Sequence, residues 1–202
     1  MERATVSPEK TQDATRERIL IEASKLFALH GYGGTSTRAI ADAVQIRQPS
    51  LFHHFDSKAA IMDELLCHSL AVPTEVAARL AEGEGSPAER FGEYLRFDIE
   101  HIFSSPYNLV GLHRQEVMDQ PAFAKWRHLY GELRSARRRL IADGMASGEF
   151  IDLDVDLADD AITGLVLGTI GGRSRRALEP KRAAKELAEF ATRALRPDPV
   201  PG

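Results

Sequence analysis

Hydrophobic positions set the reading of this chain. Between residues 16 and 30, Ile19, Leu20, Ala23, Leu26, Phe27 and His30 recur at three- and four-residue intervals, the period of an amphipathic helix. Gly31 and the following Tyr32-Gly33-Gly34 end the pattern, so a first helix is expected over about 13–30. Ser36 is a good N-cap for a short second helix, in which Ile40 and Val44 share a face. Gln48-Pro49-Ser50 opens a third, because proline fits a first helical turn where its missing N–H has no intrahelical partner. Leu51 and Phe55, four apart, point to the same core, and Ser57 is expected to cap a long fourth helix from Lys58 to about Arg79.

Past Gly83-Glu84-Gly85-Ser86-Pro87 the helical period returns repeatedly. Phe91, Leu95, Asp98, Ile99 and Ile102 mark one stripe, and residues near 106–118 a shorter one. Trp126, Leu129, Tyr130, Leu133, Arg137, Leu140 and Ile141 trace a third, and two more helices are expected over about 155–177 and 180–195. Strand-like alternation is nowhere sustained, so the predicted fold is all-α. The expected organisation is a mobile tail (1–12), a three-helix domain (13–57), a larger helical bundle (58–196) and a loose proline-rich end (197–202).

Composition narrows the class. No apolar run approaches the ~20 residues needed to span a bilayer, and the N-terminus has no secretory pattern, which predicts a cytoplasmic, non-membrane protein. Cys67 is the one cysteine and is expected to face the interior; a lone thiol builds neither a disulfide nor a metal site. Net charge is −4, but residues 1–58 hold eight Lys/Arg against seven Asp/Glu, leaving eighteen against twenty-three beyond them. Any contact with a polyanion therefore belongs to the first segment.

Three short helices, the last two joined across Gln45-Ile46-Arg47, have the layout of a helix-turn-helix, whose second helix enters the DNA major groove. Arg47, Gln48 and Ser50 at the start of that helix are residue types that hydrogen-bond base edges: Arg to guanine, Gln to adenine, Ser to either. Ser36, Thr37, Arg38, His53, His54 and Lys58 are the candidate phosphate contacts. Metal binding is not expected of His53-His54, because adjacent helical residues diverge by about 100°. Enzyme chemistry finds no support either, with no paired Glu-x-x-His set, phosphate-binding glycine loop or nucleophile triad, and no cofactor is expected. A nonspecific DNA-binding or helical interaction module remains an alternative at this level.

The ordered run Leu26-Phe27, His30-Gly31-Tyr32-Gly33-Gly34-Thr35-Ser36-Thr37-Arg38-Ala39-Ile40-Ala41-Asp42-Ala43-Val44, then Ser50-Leu51-Phe52-His53-His54-Phe55-Asp56-Ser57-Lys58, resembles the DNA-binding signature of TetR-type regulators over about residues 16–65. The resemblance implies a homodimer that binds a palindromic double-stranded DNA operator and is released by a small-molecule effector bound in the C-terminal domain. Three positions depart from the family pattern: Gln45 replaces a turn glycine, Pro49 a glycine or alanine, and Phe52 a tyrosine whose hydroxyl bonds a phosphate.

Beyond that region packing alone guides the reading. Ala161, Gly164, Leu165, Gly168 and Gly172 set small residues nearly in line, and Ala183, Leu187, Phe190 and Ala194 form an apolar stripe; together they predict a four-helix dimer interface. Asp98 and Arg137 fall on apolar helix faces and need either each other or a ligand, with Trp126 and Tyr130 as aromatic walls of an effector site.

Overall fold

Helix formation follows the caps and apolar periods throughout. The computed structural model describes residues 8–170 and 179–198. Its elements are α1 (Pro8–His30), α2 (Thr37–Val44), α3 (Gln48–Phe52), α4 (Lys58–Ala81), α5 (Pro87–Ser104), α6 (Gln115–Met118), a 3-10 turn (Pro121–Phe123), α7 (Ala124–Ala146), α8 (Val155–Ile170) and α9 (Pro180–Ala194). Among the described residues there is no strand. The chain divides into two compact units, residues 1–68 with 106–124, and residues 69–105 with 125–202.

The expected boundaries change in two places. Residues 8–12, read as tail, are the first turn and a half of α1. The expected break at 57 gives way to a first unit that also takes the start of α4 and the distant segment 106–124. That segment joins because it has its own apolar residues to bury: Leu109, Leu112, Val117, Met118 and Phe123 are all below a tenth exposed. Polar contacts hold it to α1 and the following turn. The Asn108 N–H donates to Ser24 Oγ at 2.9 Å, the Tyr32 N–H to Glu116 Oε1 at 3.3 Å, and the Tyr32 ring meets Phe123 edge-on at 5.5 Å. Gly31 adopts φ +74°, a conformation that favours glycine, and its backbone lies close to the Glu116 carboxylate.

The rest of the first unit is the three-helix core that the spacing predicts. Ile19, Leu20, Ala23 and Phe27 of α1, Ile40, Ala41 and Val44 of α2, Leu51 of α3 and then Phe55 are buried, together with Ile61, Met62, Leu65 and Leu66 of α4. Buried Thr35 stabilises the turn after α1 by donating from Oγ1 to the Gly31 carbonyl at 2.8 Å.

In the second unit α5 and α9 pack closely, because α9 turns a face of small residues inward: Ala183, Ala184, Ala188 and Ala191 are buried. On α5, Phe91, Tyr94, Leu95, Ile99 and Phe103 are buried. A Cβ on Gly144 would lie 2.2 Å from Phe150, whose ring stacks edge-on against Phe91 at 5.8 Å. Cys67 departs from expectation: it is exposed, the apolar face of α4 being supplied by Leu65, Leu66 and Leu70 instead.

Candidate nucleic-acid interface and sensor residues

The α2–α3 turn depends on one residue in an unusual conformation. Ser36 caps α2, its Oγ accepting from the Ala39 N–H at 3.0 Å. At the other end Gln45 takes φ 61° and ψ 42°, the left-handed region. Its N–H donates to the Asp42 carbonyl at 3.1 Å and the Ile46 N–H to the Ala41 carbonyl at 3.0 Å. This is the paired pattern that closes a helix when the next residue turns left-handed. The Arg18 guanidinium donates to the Val44 carbonyl at 2.7 Å, satisfying a further free acceptor of α2. A turn that glycine usually makes is thus formed by glutamine.

Helix α3 is shorter than expected, ending at Phe52 rather than Phe55. Leu51 is fully buried, while Arg47, Gln48, Pro49, Phe52 and His53 are exposed and Ser50 is half-buried. The three candidate base-reading residues therefore share one short, solvent-facing element. Gln48 is already held, its Nε2 donating to Thr37 Oγ1 at 2.9 Å. Arg38 is exposed, 4.0 Å from Asp42 on the same helix face. His54 is half-buried, with Nδ1 enclosed and unpartnered, whereas His53 faces out.

Lys58 has an internal task that spacing did not reveal. Its Nζ donates to the carbonyls of Tyr32 at 2.7 Å and Thr35 at 2.8 Å and lies 4.1 Å from the centre of the Tyr32 ring. Two of the ammonium's three donors are thereby committed to the protein, and burial lowers its pKa from the usual lysine value. Lys58 ties the start of α4 to the loop after α1.

In the second unit Arg137 takes a partner besides the expected alternatives, Asp98 or a ligand. Arg137 is buried and donates from Nε to Asp159 Oδ1 at 2.8 Å, and from Nη2 to Asp159 Oδ2 and Thr163 Oγ1 at 3.0 Å each. Asp159 is 2% exposed and also has Arg134 at 3.4 Å and Arg138 at 3.9 Å. The signal was in the chain: Asp156, Asp159 and Asp160 open α8, and Arg134, Arg137 and Arg138 repeat the same three-and-four spacing on α7.

Asp98 keeps some accessible surface, but desolvation of its carboxyl raises its pKa against the opposing pull of Arg137, His101 and Tyr94. The Tyr94 hydroxyl is buried beside Asp98 and Arg137, and burial, followed by the Asp98 charge, pushes its pKa up. Trp126 is buried beneath the Lys125 ammonium, 4.5 Å from its ring centre, and Tyr130 is half-buried. An open groove of about 670 Å³ is lined by Thr74, Ala78, Arg127, His128 and neighbours, and by none of the four predicted sensor residues.

Of the predicted dimer stripe, Ala161, Gly164 and Gly168 are exposed, and Leu165 is half-buried. Gly164 and Gly168 face open space. Leu157 and Leu167 add exposed apolar surface on α8, at 63% and 43%. On α9, Phe190 is 58% exposed, Ala194 is exposed and Leu187 half-buried. Ala183 is a correction: it is buried in its own unit, where α9 needs small residues against α5. Gly172 lies outside the described residues.

Comparison with known proteins bears on the first unit above all. The family model for bacterial regulatory proteins of the tetR family matches residues 19–65, the span that holds the core of α1, all of α2 and α3, and the start of α4. The HTH-type transcriptional repressor KstR2 of Rhodococcus jostii (strain RHA1) is 31% identical over 150 residues, 71% of this chain and 72% of the relative. HTH-type transcriptional repressor NicS of Pseudomonas putida is 26% identical over 144 residues, covering 69% of this chain and 68% of that protein. Among solved structures, Mycobacterium smegmatis AmtR aligns over 98% of this chain and 90% of its own, with TM-score 0.74 and 35% identity. These relatives are regulators rather than enzymes, and the chain belongs to the tetR family of DNA-binding transcriptional regulators.

Proposed function

We propose that this protein is a repressor that binds a palindromic operator as a homodimer and releases it when a small molecule binds the second unit. The observation that carries the DNA-reading half is the outward face of α3. Arg47, Gln48, Ser50 and His53 stand on a helix whose Leu51 anchors it in the core, after a turn that sets the angle between α2 and α3. Ser36, Thr37 and Arg38, with the remaining donor of Lys58 and the outer face of His54, serve as phosphate contacts that position the reading helix. Repression is supported by the curated relatives, which are repressors.

Dimerisation is supported by Leu157, Ala161, Gly164 and Gly168, spaced along one face of α8, and by Phe190 and Ala194 on α9. Leaving a Phe and a Leu about 60% exposed forgoes roughly 1–2 kcal/mol each, which a second copy recovers by covering them. For the effector, Asp98 and the buried Tyr94 hydroxyl are the candidate polar groups, with the Arg137 charge beside them. Trp126 and Tyr130 remain its aromatic candidates. Selection of binding sites from random duplex DNA tests the reading: enrichment of an inverted repeat is expected, and failure to enrich any repeat overturns operator binding. Loss of affinity for that repeat on adding a compound that raises the protein's Tm tests release.

A further inference from the structure

A groove of about 510 Å³ runs along the seam between α5 and α9, inside the second unit. Small residues at four-residue spacing form its floor, Ala88 and Gly92 on α5 and Ala188 and Thr192 on α9. A Cβ on Gly92 would lie 3.4 Å from Thr192 Oγ1, so the two helices are close at this level. They run antiparallel: the Leu195 carbonyl accepts from the Ile151 N–H at 2.7 Å, and Glu149, two residues before Ile151, accepts from the Ala88 N–H at 3.2 Å. That register puts Glu89 and Glu93 on one rim across from Arg193 and Arg196 on the other, and Arg96 across from Glu189. All six are exposed, and among the described residues none of these six side chains forms an ion pair or a hydrogen bond. Elsewhere on α9 such charges do close, Arg182 on Glu186 at 2.8 Å. At the floor Thr192 is 8% exposed, and its Oγ1 is enclosed with no hydrogen-bond partner among the described residues.

Charge of both signs on facing rims selects what the groove can hold. An anion gains Arg193 and Arg196 but meets Glu89 and Glu93, and a cation has the reverse conflict. A molecule with an ammonium and a carboxylate a few ångströms apart meets neither, because each of its charges has a rim of opposite sign. The volume lies within the ~300–1,000 Å³ of small-molecule sites. We propose that the α5–α9 groove binds a small zwitterion of the α-amino acid class, with its ammonium on Glu89 and Glu93, its carboxylate on Arg193 and Arg196, and its side chain toward Arg96 and Glu189. This site is separate from the effector candidates, since the nine positions from Glu89 to Asp98, at about 100° each, place those two on opposite sides of α5. Phe190 and Ala194 follow Glu189 and Arg193 by one residue, about 100° around α9, so a dimer formed through them leaves the groove open.

Thermal shift of the full-length protein with each standard α-amino acid at millimolar concentration is the first measurement, followed by titration calorimetry with the compound that raises Tm most. Two analogues of that compound, the amine without the carboxylate and the acid without the ammonium, are expected to bind about tenfold more weakly or worse. Arg193→Ala and Glu93→Gln are each expected to lower affinity about tenfold, the factor to which one charged hydrogen bond converts, whereas Asp98→Asn leaves it unchanged. Both replaced rim side chains are exposed, so helical circular dichroism is expected to persist in the two variants. Absence of any stabilising amino acid overturns the proposal, as do analogues that bind as well as the parent compound. Binding that both rim variants retain also overturns it, and its loss in Asp98→Asn then assigns the compound to the effector candidates instead.

Discussion

Removing Asp159 is expected to damage the second unit more than removing the arginine that grips it. The Arg137 guanidinium makes two bonds to the Asp159 carboxylate, at 2.8 and 3.0 Å, with the carboxylate only 2% exposed. Taking away one member of a buried pair leaves the other charge desolvated, a loss of about 3–5 kcal/mol. The two sides are not equivalent. Without Arg137, Asp159 still has Arg134 at 3.4 Å and Arg138 at 3.9 Å. Without Asp159, Arg137 retains one neutral hydrogen bond, to Thr163, and the neighbourhood of Tyr94 and Asp98. Asp159→Ala is therefore expected to cost the full ~3–5 kcal/mol, and Arg137→Met about half of that. The double variant Arg137→Met/Asp159→Ala, with no charge left at the pair, is expected to cost less than the sum of the single changes by at least ~1.5 kcal/mol. Urea unfolding followed by Trp fluorescence measures this directly, because Trp126, the single tryptophan, is buried in the same unit. Additive costs, or equal costs for the two single variants, refute the reasoning.

Further outcomes follow from the same geometry. Gln45→Gly relieves about 1–2 kcal/mol of left-handed strain and returns about 0.4–1 kcal/mol through the freer unfolded chain, so a net gain of about 0.5–1 kcal/mol is expected in chemical denaturation; destabilisation contradicts the strain at this turn. The raised Asp98 pKa means that the folded state holds more protons than the unfolded one between pH 3.8 and the folded value, so stability falls as pH rises across that window. Asp98→Asn is expected to be more stable than the wild type above the window, with the difference shrinking toward pH 3.8 when denaturation is measured as a function of pH. Arg47→Ala is expected to relax base preference by about 1–3 kcal/mol at one position per half-site, read by competition between single-base variants of the selected duplex; a uniform loss on all duplexes instead makes it a phosphate contact. Phe190→Glu is expected to shift the protein to monomer in sedimentation while its helical circular dichroism persists, and an unchanged mass excludes α9 from the interface.

The first unit was largely legible because its signals are local. Ser36 caps its helix, Ser57 Oγ accepts from the Ala60 N–H as an N-cap does, and Phe27, Ile40, Val44, Leu51 and Phe55 share the core that their spacing implied. Even the turn at Gln45 was signalled, because the family pattern has a glycine at this position and the residue there takes φ 61°. The sensor candidates were less legible. Apolar periodicity placed Asp98 and Arg137 on inward faces, yet periodicity is a property of one helix and says nothing about which helix lies opposite. Cys67 and Ala183 fell on the wrong sides for the same reason: a small or weakly polar residue on a boundary position is buried or exposed according to its neighbour's bulk.

By itself, then, the sequence determined that the chain is all-helical, where most helices begin and end, and that Ser36–Phe55 presents reading residues on a short helix over an apolar core. These depend on caps, turns and periods within a few residues of each other. Tertiary structure alone decided that residues 106–124 join the first unit, that Lys58 spends two donors on loop carbonyls, and that Asp159 rather than Asp98 takes Arg137. Each of these couples residues more than twenty positions apart. Charge, hydrogen-bonding capacity and apolar area state what a side chain needs, but only the packing of distant helices settles which group meets that need.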